Sequence, residues 1–310
     1  MSRTCVPPGS AEGGSLIQPP TSHAGRAPAW LRLARYAALA GLLLLGVLIT
    51  LAWLRDPDGR RGPAPRQDAI VRWWHRQVLR ALGVRLRVFG RPAREACLVV
   101  ANHVSWVDIP VLGATAGARP DQTVDFVAKG AIRSWPVVGW LAARTGTLFL
   151  VRQGSLERQR AAASHAARHL ARRLRAGRRP LVFPEGGTGD GRCVRRFHAR
   201  LFAAAVEAGA LIQPAALRYP DLAGGPVHPL LPFVGGIGLP WHAWRLCGLR
   251  RIEAEVAYLE PFPPVGPRRE LAERARAAVA DWLEQAARCD LSVGCSSGGY
   301  PDNGGCQTNP

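Results

Sequence analysis

The sequence predicts an α/β domain that follows one long apolar segment, and three observations carry this prediction. Seven short apolar runs alternate with stretches of helical periodicity between residues 67 and 288, and such alternation is typical of a sheet covered by helices. Residues 36–54 contain no charged side chain. The chain begins with a segment rich in proline, glycine and serine and ends without periodicity, so we expect residues 1–28 and 289–310 to be disordered.

The apolar segment is long enough to cross a lipid bilayer. As a helix, residues 36–54 would extend about 28 Å, close to the thickness of the hydrocarbon core. A secretory signal has a shorter apolar run and a small-residue cleavage site, which this segment does not resemble. We therefore predict a retained anchor helix over residues 29–55, with a signal sequence or an interfacial helix as the alternative. Arginines flank both ends of the segment, so charge alone does not fix its orientation.

A second, amphipathic helix is expected directly after the anchor, over residues 68–83. One stripe of this helix is apolar, from Val71 to Leu82, and another carries arginines, from Arg72 to Arg80. Both stripes recur at helical spacing. The helix therefore either lies at the lipid interface or packs on the domain.

The domain itself is predicted from its strands and one clear helix. That helix follows Ser155, which can cap it, and ends at Gly177, a residue suited to a helix C-terminus. The strand candidates are residues 84–89, 96–101, 123–128, 146–151, 180–184, 211–217 and 252–259.

The charge of the chain indicates an anionic partner. Lysine and arginine number 41 against 22 acidic residues, a formal net charge of +19. Such a balance is typical of proteins that bind nucleic acid or anionic membranes. The charge is scattered and lacks a long basic run, which argues against nucleic acid. The seven cysteines are also scattered, without a C-x-x-C pair, so we expect reduced thiols in a cytosolic domain and no metal site.

The most informative stretch places a histidine and a carboxylate just after an apolar strand. His103 and Asp108 lie within NHVSWVD. Ser105 and Asp108 form a capping-box pattern, so one reading is that Asp108 only caps a helix. In the other reading, His103 lies in the turn and Asp108 in the first helical turn, and the two side chains meet. The carboxylate would then make the histidine a better general base.

No nucleophile motif such as G-x-S-x-G lies near this histidine. A general base without an enzyme nucleophile would activate a hydroxyl group of a substrate.

A second candidate segment is PEGGTGDG, which follows the strand at residues 180–184. Its glycines would let backbone N–H groups approach an anion closely, and Glu185 could bind a hydroxyl. The alternative is a tight solvated loop with a spare acid. The segment is not a P-loop, because no G-K-[ST] follows.

These two stretches, in this order, resemble the N-H-x-x-x-x-D and F-P-E-G blocks of the glycerolipid acyltransferases. Two further blocks also resemble that family: residues 127–152, which contain Lys129, a P-x-x-G turn and Arg152, and residues 211–219, which contain Pro214. The resemblance covers roughly residues 70–285 and is greatest to the bacterial 1-acylglycerol-3-phosphate acyltransferases.

The resemblance implies a mixed sheet flanked by helices, and an enzyme that moves an acyl group from an acyl thioester to a lyso-lipid hydroxyl. It implies His103 as the base, Asp108 as its support, and Lys129, Arg152, Glu185 and Gly186 as substrate-binding residues. The donor would be acyl-CoA or acyl-carrier protein, with no metal or other cofactor. The expected product is phosphatidic acid, made at the cytoplasmic side of the inner membrane, with membrane lipids as partners and no nucleic acid.

One block departs from the common family pattern F-P-E-G-T-R-S. Gly187, Thr188 and Gly189 replace its threonine, arginine and serine. A bacterial branch with F-P-E-G-T-T-x-D-G is closer, and some of its members acylate lyso-ornithine lipids. Without that arginine, a phosphate acceptor requires compensation by Arg192, Arg195 or Arg196, and a lyso-ornithine acceptor is the alternative. A third reading is a non-catalytic, basic, membrane-anchored binding protein.

Overall fold

The computed structural model describes residues 25–53, 65–115, 124–150, 156–221, 225, 227–291 and 307–308. Each of the seven strand candidates overlaps an observed strand. The strands are β1 (Val84–Gly90), β2 (Cys97–Ala101), β3 (Val124–Lys129), β4 (Leu148–Leu150), β5 (Arg179–Val182), β6 (Leu211–Arg218), β7 (Ile252–Tyr258) and β8 (Gln307–Thr308). The helices are α1 (Ala29–Trp53), α2 (Pro65–Leu82), α3 (Asp108–Thr115), α4 (Val138–Arg144), α5 (Leu156–Arg175), α6 (Ala203–Ala208), α7 (Leu239–Cys247) and α8 (Arg268–Leu291).

The described strands form one mixed sheet in the order β4-β3-β5-β2-β6-β7-β1-β8. The five strands from β4 to β6 are parallel to one another. β7 and β1 are parallel to each other, and β7 is antiparallel to β6. The predicted α/β fold with a mixed sheet is therefore confirmed.

Helices cover both faces of this sheet. The side chains of β2 show the arrangement, because successive residues of a strand point to opposite faces. Cys97, Val99 and Ala101 belong to the core beneath α2, α3 and α7. Leu98 and Val100 belong to the core beneath α5, α6 and α8. β2 is buried on both sides, which explains its continuous apolar sequence.

Helix α1 contains the apolar segment. The stretch Ala29–Leu51 has a mean hydropathy of 2.0 in its most apolar window and is long and apolar enough to cross a membrane, by length and composition. The described part of the helix is Ala29–Trp53, and residues 54 and 55 of the predicted anchor lie outside the described residues. It also contacts the domain: the indole N–H of Trp74 donates to the Leu42 carbonyl at 2.8 Å, and the Arg32 guanidinium donates to the Trp244 carbonyl at 3.1 Å.

Helix α2 packs on the domain, which decides between its two sequence readings. Val78 and Leu82 of the apolar stripe are buried in the core, together with Leu79. Trp73 remains 45% exposed, so one indole still faces outward beside this packed face.

The structure differs from the expected ends of the domain. Residues 25–28, expected to be disordered, lie against the turn after α7, where the Ala27 N–H donates to the Gly248 carbonyl at 2.9 Å. Helix α8 continues to Leu291, past the predicted boundary at residue 288. Gln307 and Thr308 pair with β1, although the tail was expected to be disordered.

The cysteines agree only in part with the expected reduced thiols. Cys97 and Cys247 are free, whereas Cys193 is disulfide-bonded. Cys97 and Cys247 are also buried, so the core keeps two thiols away from solvent.

Acidic pH should destabilise the fold through His75 on α2. This histidine lies against Gly113 and the ring of Phe126, and burial lowers its pKa to about 4. Between that value and the ordinary 6.5, the unfolded chain binds a proton that the folded chain does not. Unfolding is therefore favoured as the pH falls, by about 2 kcal/mol at pH 5.

Thermal melts in detergent at pH 7 and pH 5 test this expectation. The melting temperature of His75→Gln should fall less between pH 7 and pH 5 than that of the unmodified protein. His165→Gln, at an exposed histidine of α5, is the control and should leave the difference unchanged. Equal pH sensitivity in His75→Gln and the unmodified protein would assign the loss to other groups.

Candidate active site

Three neighbouring parallel strands bring the candidate residues together at their carboxyl ends. β2 pairs with β5 in the register Val100↔Val182. His103 and Glu185 each follow these paired residues by the same interval in the sequence, so they lie side by side. β6 lies on the other side of β2 and is followed by Tyr219. The carboxyl ends of parallel strands are the usual place for ligand sites in such sheets.

Asn102 fixes the start of the turn that carries His103. Its side-chain amide donates to the Leu217 carbonyl at 2.8 Å, and its side-chain oxygen accepts the Leu217 N–H at 2.8 Å. The buried side chain thus bonds to β6 as a backbone peptide would. This pair of bonds holds the turn at a fixed height above the sheet.

His103 and Asp108 meet, as the turn-and-helix arrangement predicted. The His103 Nδ1 lies 2.7 Å from Asp108 Oδ2. Asp108 is fully buried, and the side chain of His103 is 17% exposed. Since Asp108 accepts the proton on Nδ1, the lone pair of the neutral imidazole lies on Nε2. His103 lines the cleft described below, so this nitrogen is the candidate base.

The same carboxylate also caps the turn. Asp108 Oδ2 accepts the backbone N–H of Val104 at 2.7 Å and that of Ser105 at 3.0 Å. The hydroxyl of Ser105 does not bond back, so only half of the predicted capping box forms. Capping and support of the histidine are thus two functions of one side chain, rather than alternatives.

Two residues that the sequence analysis did not select also contact this pair. The ring of Phe183 stacks on His103, with the centroids 4.0 Å apart and the planes 14° from parallel. The hydroxyl of Tyr219, which is fully buried, donates to Asp108 Oδ1 at 2.6 Å. The imidazole is therefore held on one face by a ring and at Nδ1 by a carboxylate that is itself anchored.

Glu185 is engaged within the protein. Its Oε1 accepts a hydrogen bond from the backbone N–H of His103, with 3.1 Å between nitrogen and oxygen. Its Oε2 accepts one from Nε of Arg195 at 3.0 Å. Burial raises the pKa of Glu185, and the bonds from Arg195 and His103 oppose that rise. The expected hydroxyl-binding acid thus joins the glycine-rich loop to the histidine turn.

Two backbone N–H groups of the glycine-rich loop, at residues 184–191, are available to a ligand. The Gly186 N–H donates to the Phe183 carbonyl, and the Gly189 N–H donates to the His103 carbonyl at 2.7 Å. Within the part of the chain that the structure describes, the N–H groups of Gly187 and Thr188 have no protein acceptor. Both residues line the cleft, so the loop can still donate to an anion there.

His103 lines a cleft of about 2370 Å³. Its lining includes apolar side chains of α1, α2, α4 and β3. The lining also includes arginines of α5, of the segment after β5 and of the start of α8, namely Arg168, Arg196, Arg200, Arg268 and Arg269. Apolar and basic side chains in one cleft suit a substrate that has an apolar chain and an anionic group.

Comparison with known proteins identifies the family. An acyltransferase family model matches residues 85–218. The lyso-ornithine lipid O-acyltransferase of Pseudomonas aeruginosa is 40% identical over 250 residues, covering 80% of this chain and 91% of that protein. The chain belongs to the glycerolipid acyltransferase family. The 1-acyl-sn-glycerol-3-phosphate acyltransferase of Neisseria meningitidis is 33% identical over 237 residues, covering 74% of this chain and 87% of that protein.

The fold of this acyltransferase also matches a solved structure. The 1-acyl-sn-glycerophosphate (LPA) acyltransferase PlsC from Thermotoga maritima aligns with a TM-score of 0.61 over 86% of this chain and 97% of that chain. The sequence identity is 22%, so this likeness shows the fold alone.

The remaining candidate residues of this acyltransferase are placed only in part. Arg152 lies outside the described residues. Lys129 is the last residue of β3, the strand next to β5, and its side chain also lies outside the description. The substrate-binding roles that the resemblance implied for these two residues therefore remain predictions.

Proposed function

We propose that this acyltransferase moves a fatty acyl group from an acyl thioester to the free hydroxyl of a lyso-ornithine lipid. The observation that carries the proposal is its 40% identity to the P. aeruginosa lyso-ornithine lipid O-acyltransferase over most of both chains. A second lyso-ornithine lipid O-acyltransferase, from Rhizobium meliloti, is 32% identical over 293 residues, covering 86% of this chain and 94% of that protein.

The glycine-rich loop supports the same acceptor. Thr188 stands where the phosphate-acylating pattern has an arginine, and its hydroxyl donates to the Phe233 carbonyl. Arg195 does not replace that arginine freely, because Glu185 and the Gly187 carbonyl bind its guanidinium. A lyso-ornithine lipid carries no phosphate, so it does not require a cation at this position of the loop.

In the proposed reaction, Nε2 of His103 removes the proton from the acceptor hydroxyl. The hydroxyl oxygen attacks the thioester carbonyl, and the carbon–sulfur bond breaks. The proton on the imidazolium then passes to the leaving thiolate. Asp108 stabilises the imidazolium, and the N–H groups of Gly187 and Thr188 are the loop's candidates for stabilising the oxyanion. We place the reaction at the cytoplasmic side of the inner membrane, where α1 would anchor the protein.

The acceptor is tested by incubating membranes that contain the protein with one acyl thioester and either lyso-ornithine lipid or lysophosphatidate. We expect acylated ornithine lipid as the main product, with acyl-CoA and acyl-carrier protein supplied in separate reactions. His103→Ala membranes serve as the control for other acyltransferases.

Preference for lysophosphatidate would instead support the alternative acceptor, 1-acylglycerol-3-phosphate. The similarity to the N. meningitidis 1-acyl-sn-glycerol-3-phosphate acyltransferase is the observation behind that alternative. No thioester release with either acceptor would favour the non-catalytic alternative. The intact contact between His103 and Asp108 argues against that last outcome.

A further inference from the structure

The Asp108 carboxylate receives four hydrogen bonds, and one comes from a distant strand. Three donors belong to its own turn: Nδ1 of His103 and the N–H groups of Val104 and Ser105, all on Oδ2. The fourth is the Tyr219 hydroxyl, the bond to Oδ1 at 2.6 Å. Tyr219 lies 111 positions away in the sequence. Its place next to β6 therefore ties the carboxylate to the sheet.

We propose that Tyr219 is a positioning residue of the acyl-transfer site, which sets the strength of His103 as a base through Asp108. The proposal rests on the proposed acyl transfer but not on the identity of the acceptor. Tyr219 acts through the carboxylate, because its hydroxyl donates to Asp108 and its side chain is fully buried.

Burial makes this contact strong and one-directional. Tyr219 and Asp108 are both fully buried, and a hydrogen bond to a charged group is strengthened away from water. Burial and the neighbouring Asp108 raise the pKa of Tyr219 well above its ordinary value, so the hydroxyl keeps its proton and donates. The donated proton draws negative charge toward Oδ1, and less remains on the oxygen that faces the imidazole.

Loss of the hydroxyl should therefore strengthen the attraction between Asp108 and the imidazolium. Two charged groups near His103 are Glu185, which accepts its backbone N–H, and Arg195, which binds Glu185, and Tyr219→Phe leaves both in place. A carboxylate with more negative charge on Oδ2 stabilises the imidazolium more, so a higher pH is needed before the base is free to act. A carboxylate held by one strand fewer also orients the imidazole less well.

Tyr219→Phe removes only the hydroxyl and is the test variant. We expect kcat at the pH optimum to fall about tenfold, and the acidic limb of the kcat/KM profile to move to higher pH by about 0.5–1 unit. KM for the acceptor should change little. Tyr258→Phe is a matched control, because Tyr258 is also buried and its hydroxyl contacts Thr115 at 2.7 Å, outside the site. This control should keep the profile of the unmodified enzyme.

A double variant asks whether Tyr219 works through Asp108. In an Asp108→Asn background, Tyr219→Phe should cause less than about a twofold further loss. A full additional loss would mean that Tyr219 acts independently of Asp108, and would overturn the proposal. An unmoved acidic limb in Tyr219→Phe would also overturn it and leave the tyrosine with a packing role alone.

A measurement without turnover separates this proposal from the proposed function. The titration of the His103 imidazole can be followed by NMR in protein with labelled histidine, with His103→Ala to assign the signal. We expect the midpoint to rise in Tyr219→Phe and to stay in Tyr258→Phe. An unchanged midpoint would contradict the proposal even if acyl transfer is confirmed, and a raised midpoint would support the contact even if the acceptor is different.

Discussion

His103→Ala is expected to lower kcat for acyl transfer by about 10²–10⁴-fold, with the protein still folded and still recovered with membranes. The imidazole is the base in the proposed reaction, and its Nδ1 contact to Asp108 leaves Nε2 as the proton acceptor. The fold should survive because Glu185 binds the backbone N–H of residue 103, which alanine retains. Thioester release in the presence of the lyso-lipid measures the effect.

The control for this variant is His165→Ala, at an exposed histidine of α5. It should keep full activity. Near-normal turnover in His103→Ala, at unchanged expression and melting temperature, would remove His103 from the mechanism and require another base along the cleft.

Asp108→Asn should lower kcat by about 10²–10⁴-fold and also lower the stability of the protein. An amide next to Nδ1 can donate a hydrogen bond, which favours the tautomer that protonates Nε2 and so blocks the base. It also carries no charge to stabilise the imidazolium. The N–H groups of Val104 and Ser105 would share a weaker acceptor, so a loss of about 1 kcal/mol is expected, as for other caps.

Asp281→Asn is the matched control, since Asp281 is an exposed carboxylate of α8, outside the site, and should change neither turnover nor stability. Kinetics and thermal melts of both variants separate the two functions of Asp108. A lower melting temperature with turnover nearly intact would show that Asp108 only caps the turn.

The sequence predicted the features of the fold that depend on local pattern. Buried parallel strands such as β2 appear as continuous apolar runs, so all seven strands before the tail were found. The contact between His103 and Asp108 was also predictable, because a turn followed by the first turn of a helix brings residues at this spacing together.

The contacts that depend on strand order could not be predicted in this way. Tyr219 reaches Asp108 only because β6 lies beside β2, and periodicity carries no information about which strands pair. The bond between Glu185 and the His103 N–H likewise depends on the pairing of β5 with β2. The substrate-binding role expected for Glu185 stays a prediction. The acceptor was ranked by overall family resemblance, although the altered block with Thr188 already pointed to the lyso-ornithine alternative.

The register of β5, β2 and β6 places the catalytic residues on the part of the fold that is expected to unfold last. Central strands of a sheet are usually the last to exchange their amide protons with solvent, since they open only when the whole domain unfolds. His103, Glu185 and Tyr219 follow three such strands, and Asn102 joins two of them. Local opening of α1 would leave these contacts between strand ends in place. Thermal inactivation of the acyltransferase should therefore be all-or-none, coinciding with global melting rather than preceding it.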